Sequence, residues 1–228
     1  MTTRRRGFIM TVAALAVCWA ATAGESAQKC KSTNPKQDFP ATGQTTSSPR
    51  PPYHAGDDGD IQAGATLSYT DNGDGTITDN NTCLMWEKKS DDGSIHDKDN
   101  AYTWDNAFDM HLNGINGLNT TNFAGYNDWR LPNVKELQSI VNYKNFSPAV
   151  STEFNNGDCT TPTSMCTVLT CSCTAATLYW SSSTFADFPE PELAWRVGFD
   201  FGGVDANGKS ISVHVRAVRG GSNLGSSQ

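Results

Sequence analysis

The sequence lacks a surplus of positive charge, an internal apolar run long enough to cross a bilayer, and any collagen or coiled-coil repeat. Its 228 residues carry 17 Lys+Arg against 24 Asp+Glu, a formal net charge of −7. Neutralising the phosphates of duplex nucleic acid needs the opposite balance, so no nucleic-acid partner is expected, and an anionic membrane surface is equally unsuited. No transmembrane span is expected in the mature chain, because the one long apolar stretch lies at the N-terminus. Neither a Gly-X-Y period nor a heptad appears. Histidine is scarce, at four residues. No Gly-x-Ser-x-Gly elbow accompanies them, so a hydrolase triad has no nucleophile turn. With 37% hydrophobic and 10% aromatic residues, the chain can nevertheless bury a core.

The first residues read as an address. Arg4, Arg5 and Arg6 precede an apolar run from Phe8 that ends in Ala21-Thr22-Ala23. A basic head, a short greasy middle and a small-x-small exit make a secretory signal over 1–23, cleaved before Gly24. Its removal takes the three arginines with it and leaves a more acidic mature chain. Arg5-Arg6-Gly7-Phe8-Ile9 also resembles a twin-arginine signal, so both export routes stay open. Either route places the folded part in the periplasm, on the cell surface or outside the cell.

Seven cysteines include Cys18 in the signal, which leaves Cys30, Cys83, Cys159, Cys166, Cys171 and Cys173. An even number in an exported domain favours disulfides, with 15 connectivities open. Four of them crowd into Cys-x6-Cys-x4-Cys-x-Cys. Zinc would need paired Cys-x2-Cys knuckles that this spacing lacks. Cys171 and Cys173 should take different partners, since a bridge across one residue is strained. A Cys30–Cys83 pair would staple the leader to the domain.

From 24 to 66 the chain holds five of its ten prolines and few large apolar residues, the composition of a flexible arm. Structure is expected from Leu67. Tyr69, Thr76-Ile77-Thr78 and Leu84-Met85-Trp86 alternate as strands around turns at 71–75 and 80–81. Residues 88–100 are charged and read as a solvated loop. Trp104, Phe108, Leu112 and Ile115 step as a helical stripe. Asn133 and Glu136 form a capping-box pattern ahead of Val134, Leu137, Ile140 and Val141. A Cys-rich insertion over about 155–176 follows. Leu193, Trp195, Val197, Phe199 and Phe201 alternate as a strand, a turn is placed at 205–208, and Ile211, Val213 and Val215 alternate with Ser212, His214 and Arg216. Two helices among some six antiparallel strands define an α+β domain over 67–222, with a tail at 223–228.

"NGDGTITDNNTCLMWEK" (72–88), "TWDNA" (103–107), "AGYNDWRLPNVKELQSIVNY" (124–143), "YWSSST" (179–184), "AW" (194–195) and "VRAVRGG" (215–221) follow one another in that order. Together they resemble the Lcl C-terminal domain family, named for a bacterial collagen-like surface adhesin. The resemblance implies a C-type-lectin-like fold, shared with formylglycine-generating enzymes, with two helices packed on antiparallel sheets. It also implies an envelope or surface location and, for some members, binding of sulfated polysaccharides. The collagen-like region is absent here, and the acidic charge opposes a polysulfated ligand. Cys83 stands where that family's pattern usually has glycine.

No catalytic set is expected. Formylglycine-type chemistry needs a late thiol pair, and no cysteine follows Cys173. Calcium is a candidate ligand: Asp71, Asn72, Asp74 and Asp79 approximate the oxygen donors of a calcium loop, although an ordinary tight turn uses the same residues. Binding residues tend to ride on loops of a rigid scaffold, which points to 184–192 and 203–210. Arg196, Asp200, Asn207, Lys209 and His214 are the candidate ligand contacts there. The expected protein is an exported, non-catalytic adhesion or binding module for a glycan or surface protein, open to forming a homo-oligomer. The alternatives are a structural subunit of a surface assembly and an enzyme related to formylglycine-generating enzymes.

Overall fold

A computed structural model of the chain describes residues 39–45, 56–156, 159, 166–186 and 192–220. The expected signal segment, Cys30, His54 and the tail from 223 lie outside the described residues. The architecture is α+β. Among the described residues nine strands run β1 (Tyr69–Asp71), β2 (Thr76–Asp79), β3 (Leu84–Glu87), β4 (Ala101–Tyr102), β5 (Leu178–Thr184), β6 (Leu193–Gly198), β7 (Val204–Gly208), β8 (Val213–His214) and β9 (Val218–Gly220). They form a four-stranded sheet ordered β1-β2-β3-β9 and a five-stranded sheet ordered β4-β8-β5-β6-β7. Pairing of Leu84 with Gly220 and Trp86 with Val218 brings the late end of the domain back to its early strands. One parallel contact, Tyr179 with His214, joins β5 to β8, where only antiparallel strands were expected.

Alternation decides what each strand buries. Ile77, Leu84 and Trp86 enter a cluster with Leu137, Ile140, Phe154, Tyr179 and Phe199. Leu112, Leu118, Trp129, Leu131, Trp180 and Val215 fill a second cluster, against which Met85 packs. Trp86, Trp129 and Trp180 are core residues, whereas Trp104 and Trp195 are half-buried. No helix among the described residues is long and apolar enough to cross a membrane.

Among the described residues three short α-helices occur: α1 (Asp58–Ile61), α2 (Trp104–Asn106), which runs on as a π-helix over Ala107–Leu112, and α3 (Val134–Ser139). The Asn133 side chain accepts from the Lys135 and Glu136 amides, and Glu136 returns a bond to the Asn133 N–H, so the expected capping box is present. The stripe expected through Ile115 ends early. The wider π-winding, closed by Asn113 N–H donating to Phe108 O, shifts the phase so that His111 and Leu112 point inward, and Ile115 is 88% exposed.

Three further expectations are corrected. Residues 39–45 and 56–66 belong to the body rather than to a free arm. Ala41 and Ala65 donate to the Ala65 and Phe39 carbonyls, and Tyr143 N–H donates to Thr42 O. Thr42 Oγ1 also donates to Asp58 Oδ2 at the start of α1. The turn placed at 205–208 is strand β7; the chain reverses instead at 199–203, where Gly202 takes a φ of +82°. A Cβ on Gly202 would lie 2.6 Å from both Tyr143 and Val141, so glycine is needed there for space as well as for conformation. Finally, the charged stretch after Trp86 is not solvated at its start, because Lys88, Lys89 and Ser90 are buried.

Candidate functional site

The sequence-predicted contacts do not form one site. Arg196 and Asp205 face each other across β6 and β7 and are joined by two hydrogen bonds of 2.6 and 3.0 Å. Asn207 turns its own Oδ1 back onto the Gly208 amide. At one end of the β6–β7 hairpin Lys209 Nζ lies 4.1 Å from the centre of the Trp104 ring and donates to Thr184 Oγ1. Asp200 sits at the other end, where its carbonyl accepts from Ser147 N–H. His214 pairs with Ala101 and Tyr179, and its ring stands 5.6 Å from that of Tyr179. Burial, aided by the Lys89 charge, holds its imidazole below the ordinary value. Pro189, Glu190 and Pro191 lie outside the described residues.

The four calcium candidates each make local hydrogen bonds or ion pairs. Asp71 binds the Lys88 ammonium at 2.7 Å and accepts from Gly73 N–H. Asn72 donates to Thr76 and Thr78 hydroxyls. Asp74 accepts from the Thr76 amide and hydroxyl. Asp79 belongs to the next turn and accepts from Asn81 N–H and Thr82 Oγ1.

The disulfides brace the insertion. Cys159 is bonded to Cys173 and Cys166 to Cys171, so Cys171 and Cys173 do take different partners. Cys83 is also disulfide-bonded, to a partner outside the described residues. Its φ of +59° is the left-handed conformation that glycine adopts most readily, in keeping with the glycine that the family resemblance implies at this position.

Beneath the surface lies a buried ionic hub that the sequence reading missed. Met85 faces the second core cluster, and Glu87, two residues on, takes the same side of β3. Its Oε1 accepts from His96 Nδ1 at 2.8 Å and Lys89 Nζ at 3.2 Å. Its Oε2 accepts from His111 Nε2 and the Ala217 amide, both at 2.9 Å. Arg216 adds three bonds, to Glu87 O, Cys173 O and Thr174 Oγ1. Glu87, His111 and Arg216 are wholly shielded from solvent. Burial alone would raise the Glu87 carboxyl, but the facing His111 and Lys89 and the imidazole hydrogen bonds outweigh it and hold it well below the ordinary value. Burial lowers both His111 and Lys89 against the pull of Glu87. His111 Nδ1 has no hydrogen-bond partner, so the neutral ring carries its proton on Nε2 and donates it to Glu87. The bonds of this hub tie together β3, α2, the approach to β9 and the insertion.

The open part of the molecule is elsewhere. Tyr143 donates its hydroxyl to Gly202 O at 3.0 Å, and Ser147 N–H donates to Asp200 O at 2.9 Å. These bonds bring the 143–148 loop against the β6–β7 turn and set Phe146 and Phe201 outward, 76% and 71% exposed. Beside Phe146 lies a groove of about 310 Å³, lined by Lys144, Asn145, Pro148, Thr152 and Asn155 among others. Binding pockets fall at about 300–1,000 Å³, so the volume is at the small end of that range. Only Asp200 of the predicted contacts adjoins this face. The others ride on the late strands and their loops, and nothing in the local spacing of 144–155 signals that it folds beside them.

The described body is α+β, with a buried ionic interior and an aromatic rim exposed on one face. The family model for the Lcl C-terminal domain matches residues 75–219, and the chain belongs to that family. A search of curated proteins finds no match.

Proposed function

We propose that this protein is an exported, non-catalytic binding module with a C-type-lectin-like fold, adhesin-like in role, that recognises a glycan or a protein at the cell envelope. The observation that carries the reading is the exposed rim of Tyr143, Phe146 and Phe201, held in place by hydrogen bonds between two loops rather than left to move independently. A preformed rim lowers the ordering cost of binding, and large exposed apolar groups on a rigid body are typical of interaction sites. The ionisable groups of the hub are paired within the fold, so recognition rests on surface shape. Membership of the Lcl C-terminal domain family supports the adhesin-like role. The cysteines bonded in the insertion suit an oxidising compartment, consistent with export to the periplasm, cell surface or medium.

The test is a glycan and cell-surface binding array with the full chain, run with calcium and with chelator. Specific retention of a glycan or surface protein, together with recovery of the chain outside the cytoplasm after fractionation, is the expected result. Turnover of a substrate, or retention in the cytosol with reduced thiols, would overturn the reading.

A further inference from the structure

We propose that the groove beside Phe146 is a subsite for an uncharged saccharide unit; this rests on the reading above and gives it a ligand class and a place. Two asparagines carry the inference. Asn145 Nδ2 donates to Val150 O at 2.7 Å, which fixes the amide and leaves Oδ1 without a partner among the described residues. Asn155 Oδ1 accepts from Thr174 N–H at 3.1 Å, which fixes that amide the opposite way round and leaves Nδ2 undonated. Both residues line the groove. Each of these lining residues therefore keeps one half of a backbone-anchored amide uncommitted among the described residues, an acceptor on Asn145 and a donor on Asn155.

Adjacent hydroxyls of a pyranose can each donate and accept, and they match such a pair. The opposite character of a sugar ring, its C–H face, suits the exposed Phe146 ring at the groove's edge. Thr152 adds a hydroxyl to the same lining. One cation, Lys144, adjoins the groove, and the chain as a whole is acidic. A polysulfated chain would need several cations within one Debye length, so neutral sugar hydroxyls, rather than sulfate esters, are the complementary chemistry. An extended peptide would instead look for a row of unpaired backbone groups, which these two side-chain amides do not provide.

The experiment uses the full chain on an array of neutral, carboxylated and sulfated glycans, with affinities of hits measured by calorimetry. Two variants separate site from fold. Phe146→Ala removes an exposed ring. Asn155→Asp keeps the oxygen that accepts from Thr174 N–H and replaces only the free donor. Each variant should retain the wild-type melting temperature and lose at least tenfold in affinity for a neutral glycan, and the saturation transferred from the protein to the ring protons of a bound methyl glycoside should fall in Phe146→Ala. Neutral-glycan binding unchanged by both variants would overturn the subsite and leave the wider reading standing. Binding confined to sulfated glycans or to proteins would also overturn the subsite alone. An array without any retained glycan or surface protein would overturn both.

Discussion

Glu87 and Arg216 hold each other reciprocally across β3 and the entry to β9. Arg216 Nη1 donates to the backbone carbonyl of Glu87 at 2.8 Å, while the Glu87 carboxylate accepts from the amide of Ala217, the residue after Arg216, at 2.9 Å. The Arg216 side chain thus reads the Glu87 backbone and the Glu87 side chain reads the amide next after Arg216, and a slip of one residue would break both bonds at once.

Glu87→Gln should be among the costliest conservative substitutions in the chain. Removing one partner of a buried ionic set leaves the others uncompensated, which costs about 3–5 kcal/mol. Here Lys89 and Arg216 would lose their central carboxylate. Urea denaturation of the variant should show a fall of that order. A change below about 1 kcal/mol would mean that the hub contributes little net stability.

Stability should fall in two acid steps. His111 is held below its ordinary value of 6.5, and so is His214. Above pH 6.5 both rings are neutral in folded and unfolded chains alike. As pH drops through 6.5 the unfolded chain takes up protons that the folded one refuses, and stability is lost. Glu87 is held well below its ordinary 4.5, so its contribution persists until pH falls under 4.5 and is then withdrawn. Melting temperature measured from pH 8 to pH 3 should be level, decline below about 6.5, and steepen below about 4.5. A melting temperature unchanged between pH 7.5 and pH 5 would contradict buried neutral histidines.

Arg216→Met should loosen the insertion more than the rest of the body. It leaves the Cys173 carbonyl and the Thr174 hydroxyl without their guanidinium donor, at about 1–3 kcal/mol for each buried group left unpaired. Hydrogen exchange should accelerate across 171–175 while α3 keeps its protection. Uniform acceleration over both regions would indicate global destabilisation instead.

Asn133→Ala removes the side-chain cap of α3 and should cost about 1 kcal/mol. The Arg130–Glu136 pair, at 2.7–2.8 Å, remains in this variant, so the helix should still form. Thermal melts of the variant give the measurement.

Native protein should titrate no free thiol from Cys83, Cys159, Cys166, Cys171 or Cys173. Opening Cys159–Cys173, which closes a separation of 14 residues, should cost about 2–4 kcal/mol. Denaturation with and without a dithiol reductant checks both statements.

Much of the framework was legible because its signals are local. The turn at 71–75, the alternation of β2 and β3, the capping box at Asn133 and the separate partners of Cys171 and Cys173 each follow from a few neighbouring residues. What was missed depends on distant ones. Glu87-Lys88-Lys89 looks solvated in isolation; it is buried because His111, Arg216 and Asp71 arrive from elsewhere to satisfy it. Arg216 alternates with Val215 and so seems outward, yet both are buried, since the segment after β8 passes between the two sheets' contacts rather than lying at a surface. The groove was illegible for the same reason. Its asparagines become a donor and an acceptor only after Val150 O and Thr174 N–H have each claimed half of an amide.

Cys173 is fastened three ways: its amide donates to Lys89 O, its carbonyl accepts from Arg216, and its sulfur is bonded to Cys159. Cys166 is likewise bridged, to Cys171, so the described part of the insertion is tied through Cys173 to Lys89 and Arg216 and moves with the hub as one piece.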